Sequence, residues 1–208
     1  MEKEELQRQR ILDASFKLFS TYGVKSITMD DIARELAMSK KTIYLYYNDK
    51  DDLVTQLMSS VLNVHQQEMA ESELKSKDPI HEIFLMLDQI EKMLRPVNPS
   101  MFYDMQKYHP NAWILFEEFK NEYMYNCILK NLKKGIDQGI YRKEINLEIL
   151  AHTRVIQVSS VFNPMYYPSS RFNISDVQYQ LSEHFMHGVA TLKGHKLINK
   201  YLQVTEDE

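Results

Sequence analysis

Cysteine is almost absent: Cys127 is the single one in 208 residues. That excludes an intramolecular disulfide framework and any cysteine-rich zinc module. Glycine and proline are scarce, at five and six residues, well under half their usual share. Turn-rich β-sandwiches, barrels and Gly/Ser linkers are excluded with them, and long helices with few turns are favoured. Apolar runs stop at about five residues, as in IFLML and AWILF, far short of a membrane span. The opening MEKEELQRQR is charged and lacks an apolar h-region, so no secretory signal is expected and a cytoplasmic location is. Net charge is -4. The molecule as a whole is no polycation, and any nucleic-acid binding must rest on a local patch.

What is present is helical periodicity. Ile11, Ser15, Leu18 and Tyr22, with Leu12, Phe16 and Phe19, recur at 3–4 spacing up to Gly23, the pattern of one helix face and its stop. Thr28 with Asp31 three residues on reads as a capping box opening a second helix. A third starts at Ser39 after about three residues, and a longer one runs from about Lys50 to Lys75. Pro79, Pro96, Pro99 and Pro110 punctuate the middle of the chain. KKGIDQGIYRKEIN, containing Gly135 and Gly139, reads as a turn, and a largely apolar helix is expected from about Leu147 to Phe162. One last helix would carry Ile174, Val177, Leu181, Phe185, Val189 and Leu192, and the acidic end at Thr205–Glu208 is expected to fray. No strand alternation or internal repeat is evident.

Two short helices joined by a tight turn over residues 28–46 form a helix-turn-helix pattern, whose second helix reads base edges in the major groove. Lys40 and Lys41 occupy the first turn of that helix, and Lys50 begins the next. Cations there oppose the helix dipole at roughly 0.3–1 kcal/mol each, a placement that makes sense if phosphates face them. The hydroxyls of Thr28, Ser39, Thr42, Tyr44 and Tyr46 add neutral donors for phosphate oxygens. Residues 1–55 hold nine Lys/Arg against ten Asp/Glu, so the acids must sit on another face.

The stretch ILDASFKLFSTYGVKSITMDDIARELAMSKKTIYLYYNDKDDLV resembles the DNA-binding domain of the TetR family of bacterial transcriptional regulators, over roughly residues 8–58. Three departures stand out: Ala37 where the turn often has Gly, Lys41 where many members have Gly, and Tyr47 in place of the usual Phe, whose hydroxyl needs a partner or a route to solvent. The resemblance implies an all-α fold, with an N-terminal three-helix helix-turn-helix domain at residues 1–50 and a C-terminal helical ligand-binding and dimerisation domain at 51–208. It implies phosphate contacts from Thr28, Tyr46 and Lys50, and a recognition helix carrying Lys40, Lys41, Thr42 and Tyr44. Its expected partners are double-stranded operator DNA, a small apolar or aromatic effector and a second copy of the chain, with no membrane.

Residues 101–125 hold eight aromatics, which suits a cavity for apolar molecules as well as an aromatic core. Phe102, Tyr103, Met105, Trp113, Phe116 and Tyr123 are the pocket candidates. His152, Ile156, Ser159, Phe185, Val189 and Leu192 are the dimer candidates, on the two long C-terminal helices. His184 and His187 lack a third ligand at suitable spacing, and HEIFL at His81 lacks the second histidine of a zincin, so no metal or cofactor is expected. No nucleophile-and-base constellation is visible, so the chain is not expected to be an enzyme. The sequence thus points to a ligand-responsive regulator, most simply a repressor. An activator, an all-helical module that does not bind DNA, and an all-helical enzyme with an aromatic pocket are its rivals.

Overall fold

A computed structural model describes residues 2–95, 97–98 and 100–204. Pro96, Pro99 and the acidic end at Thr205–Glu208 lie outside the described residues. Every regular element among the described residues is helical, apart from one isolated backbone bridge between Tyr141 and Ala190. The chain forms two compact units, Met1–Val64 with Pro96–Glu118 and His65–Arg95 with Phe119–Glu208.

In the first unit, α1 (Glu2–Tyr22) buries Ile11, Leu12, Ser15 and Phe19 of the predicted stripe and half-buries Phe16 and Leu18, while Tyr22 at its end is exposed. Burying each large apolar side chain contributes about 1.5–3 kcal/mol. Ser15 does not break the stripe, because its hydroxyl donates to the Ile11 carbonyl at 2.7 Å. Gly23 ends the helix at φ +80, its N–H donating to the Phe19 carbonyl at 2.9 Å. Beyond it lie α2 (Met29–Glu35), α3 (Lys40–Tyr44) and the opening of α4 (Lys50–Lys75). Two further helices, α6 (Ser100–Tyr108) and α7 (Pro110–Glu118), complete the unit, with Pro110 at a first helical position as expected. Asp104 of α6 accepts the Lys25 N–H at 2.9 Å, and Asp51 accepts from His109 Nδ1 at 2.9 Å and Asn111 Nδ2 at 3.0 Å.

The second unit comprises residues 65–75 of α4, α5 (Pro79–Leu94), a π-helical turn (Phe119–Met124), α8 (Tyr125–Asp137), α9 (Leu147–Ser160), α10 (Ile174–Val189) and α11 (Leu192–Leu202). Ile80, Leu132, Tyr141, Phe185, Met186 and Ile198 form its core. Two sequence expectations need correction. First, the turn expected over KKGIDQGIYRKEIN begins later, because α8 continues through Gly135 to Asp137. Gly135 serves packing: a Cβ there would lie 1.9 Å from the Tyr141 ring. Second, the single last helix is two. Ala190 is extended (ψ 147) and bridges Tyr141, and Thr191 caps α11 by accepting the Gly194 N–H at 3.2 Å. Leu192 therefore opens α11 and is not on the α10 stripe.

Candidate nucleic-acid interface and effector cavity

The helix-turn-helix is built from local signals. Thr28 caps α2 by accepting the Asp31 N–H at 3.2 Å, while the Asp31 carboxylate accepts the Thr28 N–H at 2.9 Å. The Thr28 hydroxyl, donating to the same carboxylate at 2.6 Å, and then the Thr28 N–H hold the Asp31 carboxyl below its ordinary range. Ala37 turns the chain at φ 51, the left-handed region that glycine fills more easily. Met38 N–H closes the turn on the Ala33 carbonyl at 2.9 Å. Ser39 then caps α3, accepting the Thr42 N–H at 3.1 Å. Ile43 anchors α3 in the unit's core, while Lys40, Lys41 and Tyr44 are exposed.

The three cations singled out by sequence stand in three different situations. Lys40 Nζ lies 3.0 Å from Asp30 Oδ2, an exposed pair that raises the lysine's affinity for its proton. Such a pair is worth little and opens easily. Lys41 is exposed and enters no ion pair among the described residues. Lys50 turns inward: its ammonium donates to the Val24 carbonyl at 2.6 Å and lies 5.9 Å from the Phe19 ring centroid. Burial lowers its pKa, and its dipole-opposing position is explained by that internal bond. Tyr46 is half-buried beneath Arg8, whose guanidinium donates to the Tyr46 carbonyl at 3.0 Å and lies over both Tyr46 and Tyr47. The Tyr47 hydroxyl finds its partner in the Arg8 carbonyl at 3.1 Å, and burial pushes its pKa up to about 12. Arg8 was missed by sequence reasoning, since a charged residue far from the motif carries no signal of this contact.

The second unit holds a cavity of about 70 Å³. Its wall is mostly apolar, with Met69, Met86, Leu87, Ile90, Met124 and Ile128, but polar side chains converge on it: His65, Glu82, Asn131, Arg154 and Gln178. None of the six sequence-predicted pocket residues lines it. Phe102, Tyr103, Met105, Trp113 and Phe116 lie on α6 and α7 of the first unit, where Met105 and Phe116 are buried and Trp113 packs on Phe116. Tyr123 belongs to the second unit, and its hydroxyl donates to the Gln66 carbonyl at 3.1 Å. The wall of this cavity is spread over five helices and a π turn, with no local sequence signal.

Of the dimer candidates, His152 and Ile156 are exposed on α9, Ser159 is half-buried, and Leu192 is exposed at the start of α11. Phe185 and Val189 are buried in the second unit's own core. The His187 and His195 rings meet with their Nδ1 atoms 2.9 Å apart. Among the described residues, no group of three His, Cys, Asp or Glu is placed to hold a metal. No helix among them is long and apolar enough to cross a membrane.

Comparison with known proteins bears on both units. A family model described as bacterial regulatory proteins, tetR family, matches residues 11–57. The chain is 27% identical over 182 residues to the uncharacterised HTH-type transcriptional regulator YvaF of Bacillus subtilis (strain 168), covering 87% of this chain and 94% of YvaF. A TetR-family transcriptional regulator from Agrobacterium tumefaciens has a similar fold, with a TM-score of 0.74 at 16% identity, over 90% of this chain and 100% of that one. So does a putative transcriptional regulator from Saccharomonospora viridis in complex with choline, with a TM-score of 0.72 at 16% identity, over 90% of this chain and 99% of that one.

Proposed function

The chain belongs to the tetR family of bacterial regulatory proteins and is a transcriptional regulator of that type, and from this premise we propose that it is a repressor that binds a palindromic operator as a homodimer and is released by a small molecule. The reading divides the work between residues 1–50, which hold DNA, and 51–208, which sense the effector and pair two copies. One observation carries it: a capped two-helix unit with its turn closed at Ala37 presents Lys41, Lys40 and Tyr44 on the exposed side of α3. Thr42 and Tyr44 are then the base-edge readers, and Lys40 and Lys41 hold phosphates once Asp30 is displaced. Thr28, Ser39 and Tyr46 add neutral contacts to the backbone. Lys50 would reach a phosphate only by leaving the Val24 carbonyl, so we assign it to holding the turn from behind.

Pairing is assigned to the exposed side of α9, where His152, Ile156 and Ser159 stand, with α10 beside it. Two recognition helices then sit about one turn of duplex apart, roughly 34–36 Å. A small, largely apolar effector in the second unit shifts the population to dimers with another spacing. To switch strongly it must favour that state by several kcal/mol. The setting is the bacterial cytoplasm. The test is a gel shift on the duplex upstream of the chain's own coding sequence. A shift that Lys40→Ala with Lys41→Ala weakens at least tenfold supports the reading (about 1.4 kcal/mol). A shift that the double variant leaves unchanged overturns it.

A further inference from the structure

The cavity of the second unit carries a feature that an apolar effector alone does not explain. Arg154 of α9 is 7% exposed, and one guanidinium nitrogen, Nη2, donates to the Ser182 hydroxyl. The other, Nη1, is buried without a hydrogen-bond partner, and no carboxylate pairs with Arg154 among the described residues. A buried guanidinium without a counter-charge is costly, so one is normally paired. Gln178, one helical turn before Ser182 on α10 and 2% exposed, also faces the cavity with its Oε1 unpartnered.

The other ionisable groups on the cavity wall do not supply the missing charge. Glu82 has Lys134 Nζ at 3.6 Å but its Oε2 is buried without a hydrogen-bond partner, and burial raises its pKa, which favours the neutral acid. Burial lowers the pKa of His65, which favours the neutral ring. Burial draws Arg154 down to about 10, which leaves it fully charged at neutral pH. Cys127 is half-buried with its pKa raised, a neutral thiol. The cavity wall therefore holds a guanidinium that lies over the Phe185 ring but has no carboxylate partner among the described residues, together with the flexible side chains of Met69, Met86 and Met124. A separate groove of about 360 Å³ between α5 and α10 shares Leu87, Ile90 and Gln178 with it and also carries Asp88, Glu91 and Asp176.

Resting on the regulator reading for its biological meaning, we propose that the effector is a monocarboxylate with an apolar chain, its carboxylate accepting from Arg154 Nη1 and, with the Gln178 amide turned over so that nitrogen replaces the unpartnered oxygen, from Gln178 Nε2, and its chain lying against the three methionines. A carboxylate fits where a phosphate dianion does not, because one cation faces it. The hydrogen bonds would be charge-assisted and stronger than neutral ones.

The probes are straight-chain carboxylates from acetate to octanoate and the matching primary amides, titrated calorimetrically into the full-length protein without DNA. The expected result is a preferred chain length at which the acid binds at least roughly tenfold tighter than its amide (about 1.4 kcal/mol). That preference should vanish in Arg154→Met and shrink in Gln178→Leu, with helical circular dichroism unchanged. The wild-type comparison needs no variant, so poor folding of Arg154→Met leaves the test intact. Equal binding of acid and amide, or no binding of any acid, overturns the proposal. A second arm repeats the gel shift with the best acid. An acid that binds through Arg154 but leaves the DNA complex intact keeps this site and removes the release mechanism. Release by uncharged compounds only, with no acid bound, does the reverse.

Discussion

Replacing glycine by alanine inside a helix is normally stabilising, by about 1 kcal/mol. At Gly135 the sign should reverse. The added Cβ would come within 1.9 Å of Tyr141 Cδ2 and 2.3 Å of Cε2, distances that no rotamer of alanine can relieve. The ring must move, yet it is fully buried and its hydroxyl donates to Asn131 Oδ1 at 3.1 Å. Overpacking costs about 1–3 kcal/mol, and losing the buried hydrogen bond adds about 1 kcal/mol. Against the helix gain, Gly135→Ala should cost about 2 kcal/mol, a fall in Tm of roughly 4–8 °C for a chain of this length. Gly188 is the internal control: it lies in α10, and a Cβ there would meet nothing within 4 Å. Gly188→Ala should raise Tm. In a Tyr141→Leu background the cost of Gly135→Ala should largely disappear, because the two sites act through one contact. Thermal unfolding, followed through the helical band of the far-ultraviolet circular dichroism, reads all of these proteins. If Gly135→Ala stabilises as Gly188→Ala does, the packing described for α8 and Tyr141 is wrong.

Three further outcomes rest on named groups. Ala37→Gly should stabilise the first unit by about 0.5 kcal/mol, since relief of left-handed strain at φ 51 outweighs the extra freedom of the unfolded glycine; a lower Tm would refute it. Glu82 has a raised pKa through burial, so the native state holds its proton more tightly than the unfolded chain. Its contribution is fullest below the unfolded value and is lost as pH rises through the folded one. Glu82→Gln should therefore gain on wild type as pH rises from about 4.5, and a denaturant series across pH that shows no change in the gap would contradict this. Ile156→Glu, on the exposed side of α9, should shift the molecular mass by light scattering from two chains to one without lowering helicity; an unchanged mass would move the pairing face elsewhere.

The first unit was legible because its signals are local. Gly23, the Thr28–Asp31 box, the Ser39 cap and the Lys50 start each act within four residues, and each stands where the spacing put it. The second unit was legible only as helices. Gly135 reads as a turn until Tyr141 is known to lie on it, and the break at Ala190 depends on a bridge to Tyr141, far away in sequence. The cavity was illegible for the same reason: His65, Glu82, Arg154 and Gln178 converge from four helices. Aromatic density pointed instead at α6 and α7 of the first unit, away from this cavity. The lysines show a subtler limit. Sequence places Lys40, Lys41 and Lys50 alike at helix starts, but only coordinates separate a cation held by Asp30, one without an ion pair and one bonded to a carbonyl.

That separation supplies the most direct trial of DNA recognition through α3. Binding of the upstream duplex is measured by fluorescence anisotropy over a range of potassium chloride concentrations, for wild type, Lys41→Ala and Lys50→Ala. Affinity should fall linearly with salt on logarithmic axes, with a slope smaller in magnitude by about 1 for Lys41→Ala and unchanged for Lys50→Ala. A wild-type affinity indifferent to salt, or a Lys41→Ala slope equal to the wild-type one, would contradict the account.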